Sequence, residues 1–226
     1  MKKTWGIWVI VGLWAGLAYG GDDFNDSVRN KALWKVPAGN MGRLVETNTR
    51  LYYNALGASG VRSASWYWKT PYTLNSGDML EVSTLICLPK VDEPTASAYL
   101  GLGLANGYLS GAKYVAVTVR SYDGQRDIVV SGDGRAKSFS LPQTLSVFFL
   151  VIRYNATTGK LTIWQRAMDY SWTSKAGAVN LNVWWAVPPG TPLVMAPYIV
   201  GQSENMDFTT SNNYYFDDFN VIKTIP

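Results

Sequence analysis

Residues 215–221 read Tyr-Phe-Asp-Asp-Phe-Asn-Val, and four of them repeat near the other end of the chain. Asp217-Asp218-Phe219-Asn220 matches Asp22-Asp23-Phe24-Asn25. Two ends that carry the same strand-like word are predicted to meet as adjacent strands closing one sandwich. Each Phe would then anchor its strand in the core, with the acids at the rim.

Between these words the hydrophobic pattern has a period of two. Leu80, Val82, Thr84 and Ile86 alternate with Glu81, Ser83, Leu85 and Cys87, and Val115, Val117 and Val119 alternate with Ala116, Thr118 and Arg120. Such alternation is the signature of half-buried strands. Residues 145–154 (LSVFFLVIRY) are apolar on both faces, which fits a central strand covered on each side. Asp123-Gly124 and Asp133-Gly134 signal tight hairpins, because Gly accepts the positive φ those turns need. Residues 155–159 (NATTG) read as a longer hairpin loop. Many short strands and no convincing amphipathic helix predict an all-β, two-sheet antiparallel jelly-roll sandwich.

Residues 1–20 read as a signal peptide. Lys2 and Lys3 form a compact basic start of bacterial type, residues 4–19 carry no charge, and Ala18-Tyr19-Gly20 places small residues for cleavage before Gly21. The remaining 206 residues, 21–226, suit one β domain. This predicts a secreted or periplasmic protein with no membrane span after signal cleavage. Without Lys2 and Lys3 the chain has 18 basic and 16 acidic residues, a balance that gives no case for a nucleic-acid partner. Cys87 is the sole cysteine, so no internal disulfide forms, and its apolar neighbours mark it as a small buried hydrophobe. Histidine is absent, which removes Ser-His-Asp and Cys-His catalysis, His acid–base chemistry and His-ligated metals.

Several segments in order along the chain resemble the concanavalin A-like lectin/glucanase superfamily, in its laminin-G-like variants. They are Asp22-Asp23-Phe24 with Trp34, residues 74–82 (LNSGDMLEV), residues 152–155 (IRYN) with 158–164 (TGKLTIW), and residues 215–221. The resemblance implies two antiparallel sheets packed face to face, with adjacent terminal strands. The superfamily holds lectins, carbohydrate-binding modules, glycoside hydrolases, polysaccharide lyases and adhesion domains, so the fold alone does not choose a function.

Some relatives hold a structural calcium with a closing-strand Asp, and the resemblance carries that role to Asp217 and Asp218, with Asp22 and Asp23 contributing from the other end. Calcium takes six to eight oxygens, and adjacent strand residues face opposite ways, so at most one of Asp217 and Asp218 would be a direct ligand. The alternative is that these acids are solvated or bond backbone at the rim. For ligand binding the candidates are Trp66 and Trp68, which share a strand face, and Trp184 or Trp185. They would either stack on sugar rings or fill the core. The Glu-x-Asp-x-x-Glu motif of the superfamily's glucanases is absent, and the histidine usual in its alginate lyases is missing. The resulting expectation is a non-catalytic protein that binds a glycan or cell-surface polysaccharide. A glycoside hydrolase or polysaccharide lyase and a purely structural or assembly domain are the alternatives.

Overall fold

The computed structural model describes residues 17–37, 42–55, 60–106, 113–208 and 213–226. In chain order the strands are β1 (Leu17–Asp22), β2 (Trp34–Lys35), β3 (Arg43–Thr47), β4 (Arg50–Asn54), β5 (Val61–Trp68), β6 (Tyr72–Leu74), β7 (Met79–Cys87) and β8 (Ser97–Asn106). They continue as β9 (Lys113–Tyr122), β10 (Gln125–Gly132), β11 (Arg135–Ser140), β12 (Val147–Asn155), β13 (Lys160–Arg166) and β14 (Thr173–Asn180). A short helix, α1 (Leu181–Trp185), precedes β15 (Leu193–Glu204) and β16 (Tyr215–Thr224).

The strands form two antiparallel sheets. The first runs β14-β13-β12-β7-β16-β4-β3, with β1 also on β16, and the second runs β11-β10-β9-β8-β15-β5-β2, with β6 on β15. Inward residues of both sheets build one core: Leu80, Val82, Ile86, Phe148, Leu150 and Ile152 face Leu100, Leu102, Val117, Val119, Ile128 and Ile199. The doubly apolar segment is the central strand β12, between β7 and β13. Its outward Phe149 and Val151 are also buried, in a second cluster with Leu85, flanked by Trp164. Cys87 is buried on that same outer face beside Tyr52 and Tyr215. Both Asp-Gly pairs make the predicted hairpins, each with two successive positive-φ residues.

The two ends meet. β1 pairs antiparallel with β16, placing Asp22 opposite Phe219 and Gly21 opposite Asn220. Phe24 and Phe219 are both fully buried. Trp34 joins them, with ring centroids 6.0 Å from Phe24 and 4.8 Å from Phe219. Four residues of β1, from Leu17 to Gly20, precede Gly21 and pair with Thr224 to Val221. Gly20 lies so close to Tyr72 and Trp68 that a Cβ there would come within 2.8 Å of the tyrosine oxygen.

Candidate functional site

Trp66 and Trp68 share one strand face as predicted, and that face is the core. Each is 4% exposed, and both pack on Trp34, at 6.0 Å and 5.1 Å between ring centroids. Neither offers a ring face on the outside of the sheet. Trp184 and Trp185 lie in α1. The Asn180 side chain caps this helix by accepting from Val183 N–H at 3.1 Å. Trp185 is fully buried, and Trp184 is half-buried against the core edge.

The acids of the end words separate. A register shift between Asp217 and Asn220 marks a β-bulge, and Asp218 sits within it at φ 46°. Asp217 turns toward Arg50, 3.9 Å away, and burial, then the charge of Asp218, push it up to about 6. Asp22, Asp23 and Asp218 line a polar cavity of about 430 Å³ together with Asn25, Asp26, Asn30 and Asn220. Asp22 already accepts from Phe24 N–H at 3.1 Å and from Trp34 Nε1–H at 2.7 Å, and Asp23 accepts from Asn25 at 2.6 Å. Among the described residues, no three His, Cys, Asp or Glu side chains are grouped to hold a metal ion.

The outward face of the second sheet carries a polar and aromatic patch. On β8 the inward residues are Ala98, Leu100, Leu102 and Leu104, which turns Tyr99, Gly101 and Gly103 outward. Strand register then places Gln202, Tyr99, Arg120 and Asp127 side by side across four strands. Glu204, Ser97 and Tyr122 form the next outward row. Arg120 makes a bidentate pair with Asp127, at 2.9 Å and 2.5 Å, and Asp127 holds its guanidinium firmly charged. The same guanidinium lies 4.1 Å from the Tyr122 ring centroid. Ser97 bridges Tyr99 at 3.3 Å and Glu204 at 3.4 Å. Beside the patch, Tyr198 lies over Gly103 and stacks on Tyr67 at 4.8 Å. Only glycine leaves room for that ring, since a Cβ at position 103 would fall 2.0 Å from Tyr198 Cζ.

This patch offers what sugar recognition requires. Aromatic rings meet apolar C–H faces, while carboxylates and a guanidinium, held by mutual bonds, accept from and donate to hydroxyls. Strand alternation alone marks Arg120 only as a residue on the opposite face from Val117 and Val119. The signal was nonetheless present: a two-residue Asp123-Gly124 turn pairs Tyr122 with Gln125 and therefore Arg120 with Asp127.

A second constellation was not foreseen. Glu46, on β3, is 7% exposed, and neither of its carboxylate oxygens has a hydrogen-bond partner of good geometry. Burial, then the nearby Asp26 carboxyl, push Glu46 up to about 8, while the Glu46 carboxyl beside it lowers Asp26. Of the two acids, Glu46 is the one pushed toward its protonated form. It lines a cavity of about 580 Å³ between β3 of the first sheet and β5 of the second.

No family model and no curated protein matches the sequence. Solved structures do match the fold. Lectin II from Ulex europaeus has a TM-score of 0.58 at 14% identity, over 92% of this chain and 97% of that one. The basic winged bean lectin with Tn-antigen has a TM-score of 0.58 at 12% identity, over 93% and 100%. The CBM2 module of the Lactobacillus casei BL23 phage J-1 evolved Dit has a TM-score of 0.59 at 10% identity, over 93% and 96%. At such identities the likeness is one of architecture, and it covers nearly the whole chain: the protein has the concanavalin A-like jelly-roll fold of these lectins.

Proposed function

We propose that this protein is a secreted, non-catalytic carbohydrate-binding β-sandwich, and that its glycan site is the outward face of β15, β8, β9 and β10. The observation that carries this reading is the patch of Tyr99, Arg120, Asp127, Tyr122 and Glu204, in which ionised and aromatic groups are fixed by one another on a rigid sheet. The neighbours in fold include lectins whose structures hold galactose or fucose glycosides, which supports the same ligand class.

The acid spacing favours binding over hydrolysis. Asp127 and Glu204 lie on strands three places apart, about 14 Å at the usual strand separation, whereas glycosidase acids stand roughly 5–9.5 Å apart. Glu46 and Asp26 are in direct contact, too close to flank a glycosidic bond. Glu81 is held by Arg153 and Arg166.

Residues 1–20 would direct export. No helix among the described residues is long and apolar enough to cross a membrane. The partner would be a glycan, such as a cell-surface polysaccharide. A structural calcium is part of the proposal only at the cavity of Asp22, Asp23 and Asp218. At most two of these acids could share one ion there, with Asn25, Asn220 and backbone carbonyls supplying further oxygens. Asp217 drops out of the ligand set because it faces Arg50. A glycan panel read with wild type and with Tyr99→Ala and Asp127→Asn variants tests the site. Binding that survives both changes places the glycan site elsewhere than the outer face.

A further inference from the structure

We propose that the cavity between β3 and β5 is a second binding site and that it takes an acidic sugar, a pyranose ring bearing a carboxylate. Its volume of about 580 Å³ falls within the small-ligand range of roughly 300–1,000 Å³. Leu44, Ala64, Val36, Pro37 and Trp66 make an apolar wall for the ring. Arg29, Lys31 and Arg43 line the same cavity, and no ion pair among the described residues engages any of the three. The Arg29 guanidinium lies 5.9 Å from the Trp66 ring centroid, so charge and aromatic surface adjoin.

Glu46 supplies the polar group within the wall. Buried polar atoms nearly always have hydrogen-bond partners, and both of its carboxylate oxygens lack one of good geometry. A sugar hydroxyl reaching the cavity would meet that need. Even with the Glu46 and Asp26 carboxylates set against them, the three cations leave the cavity's surroundings net positive, which selects an anion. The ligand class rests on the carbohydrate reading above, but the residues are separate from those of the outer face.

The test is calorimetric titration with a tri-galacturonate and with its methyl ester, which removes the charge and keeps the ring. Wild type should bind the acid form at least about tenfold more tightly, as charge-assisted contacts to a carboxylate imply. The double change Arg29→Gln with Arg43→Gln should abolish that preference, and Lys90→Gln, at an exposed cation outside both sites, should leave it. Unaltered melting of each variant checks its fold. Equal affinity for the two forms overturns the proposal, as does a preference that survives in the double variant or disappears with Lys90→Gln. If neutral glycans bind the outer face while neither galacturonate form binds, the cavity proposal fails and the carbohydrate reading stands. If no glycan of either charge binds, both fail.

Discussion

The indole N–H of Trp34 donates to the Asp22 carboxylate at 2.7 Å. The same indole packs 4.8 Å from Phe219, so one side chain fastens the opening word to its repeat in the closing strand. Replacing Trp34 by Phe keeps an aromatic ring but removes the donor and part of the buried area. Destabilisation of about 2–4 kcal/mol is expected, from cavity formation and an unpaired acceptor. Asp22→Asn, which still accepts, should cost less. Urea unfolding of both variants checks the order.

Glu46 makes stability depend on pH. Its folded value is raised to about 8 from an ordinary 4.5, so between these values the folded state binds a proton that the unfolded chain has released. Stability from this group is therefore fully present below about pH 4.5 and is lost as pH rises through about 8, by on the order of 2–4 kcal/mol. The lowered Asp26 acts oppositely, losing its contribution as pH drops through its folded value. Glu46→Gln should flatten the decline, so urea midpoints at pH 5, 7 and 9 should converge in that variant and spread in wild type.

Cleavage before Gly21 would remove the four residues of β1 that pair with Val221–Thr224. A chain starting at Gly21 should be less stable than one starting at Leu17 by about 2–4 kcal/mol, given about 1 kcal/mol net per backbone bond and the loss of Gly20 packing. Comparing the two purified forms measures this, and the mass of the exported protein gives its first residue.

Gly103→Ala should lift Tyr198 from the sheet. Tyr198 is buried, and its hydroxyl donates to the Val115 carbonyl at 3.0 Å, a bond that displacement would break. A loss of about 1–3 kcal/mol is expected, in the range of overpacked sites. Tyr198→Ala placed on the Gly103→Ala background should recover part of it.

Much of the fold was legible because strand alternation and turn chemistry are local. Leu80 to Ile86, residues 145–154 and the two Asp-Gly turns each announce their structure within a few residues. The matching end words extended that reading to a long-range contact. The site was less legible because a strand's alternation does not say which face is inside. Trp66 and Trp68 shared a face in the sequence, but only sheet packing turned it inward. Trp184 and Trp185 misled because Asn180 caps a single helical turn before the Pro188-Pro189-Gly190 loop. The Glu46–Asp26 contact has no local signal, since it depends on the segment around residue 26 folding against β3. The patch on the outer face needed the register of four strands, of which the sequence displayed only one hairpin.

Glycan binding by the outward face of the second sheet is open to a direct measurement. The most direct measurement is the affinity of wild type and a Tyr99→Ala, Asp127→Asn double variant for the best neutral ligand from a glycan panel, with melting as the control for folding. Affinity in the double variant should be at least about tenfold weaker, because the site loses a stacking ring and a charge-assisted bond, with a melting midpoint close to wild type. Unchanged affinity in a folded double variant would contradict it.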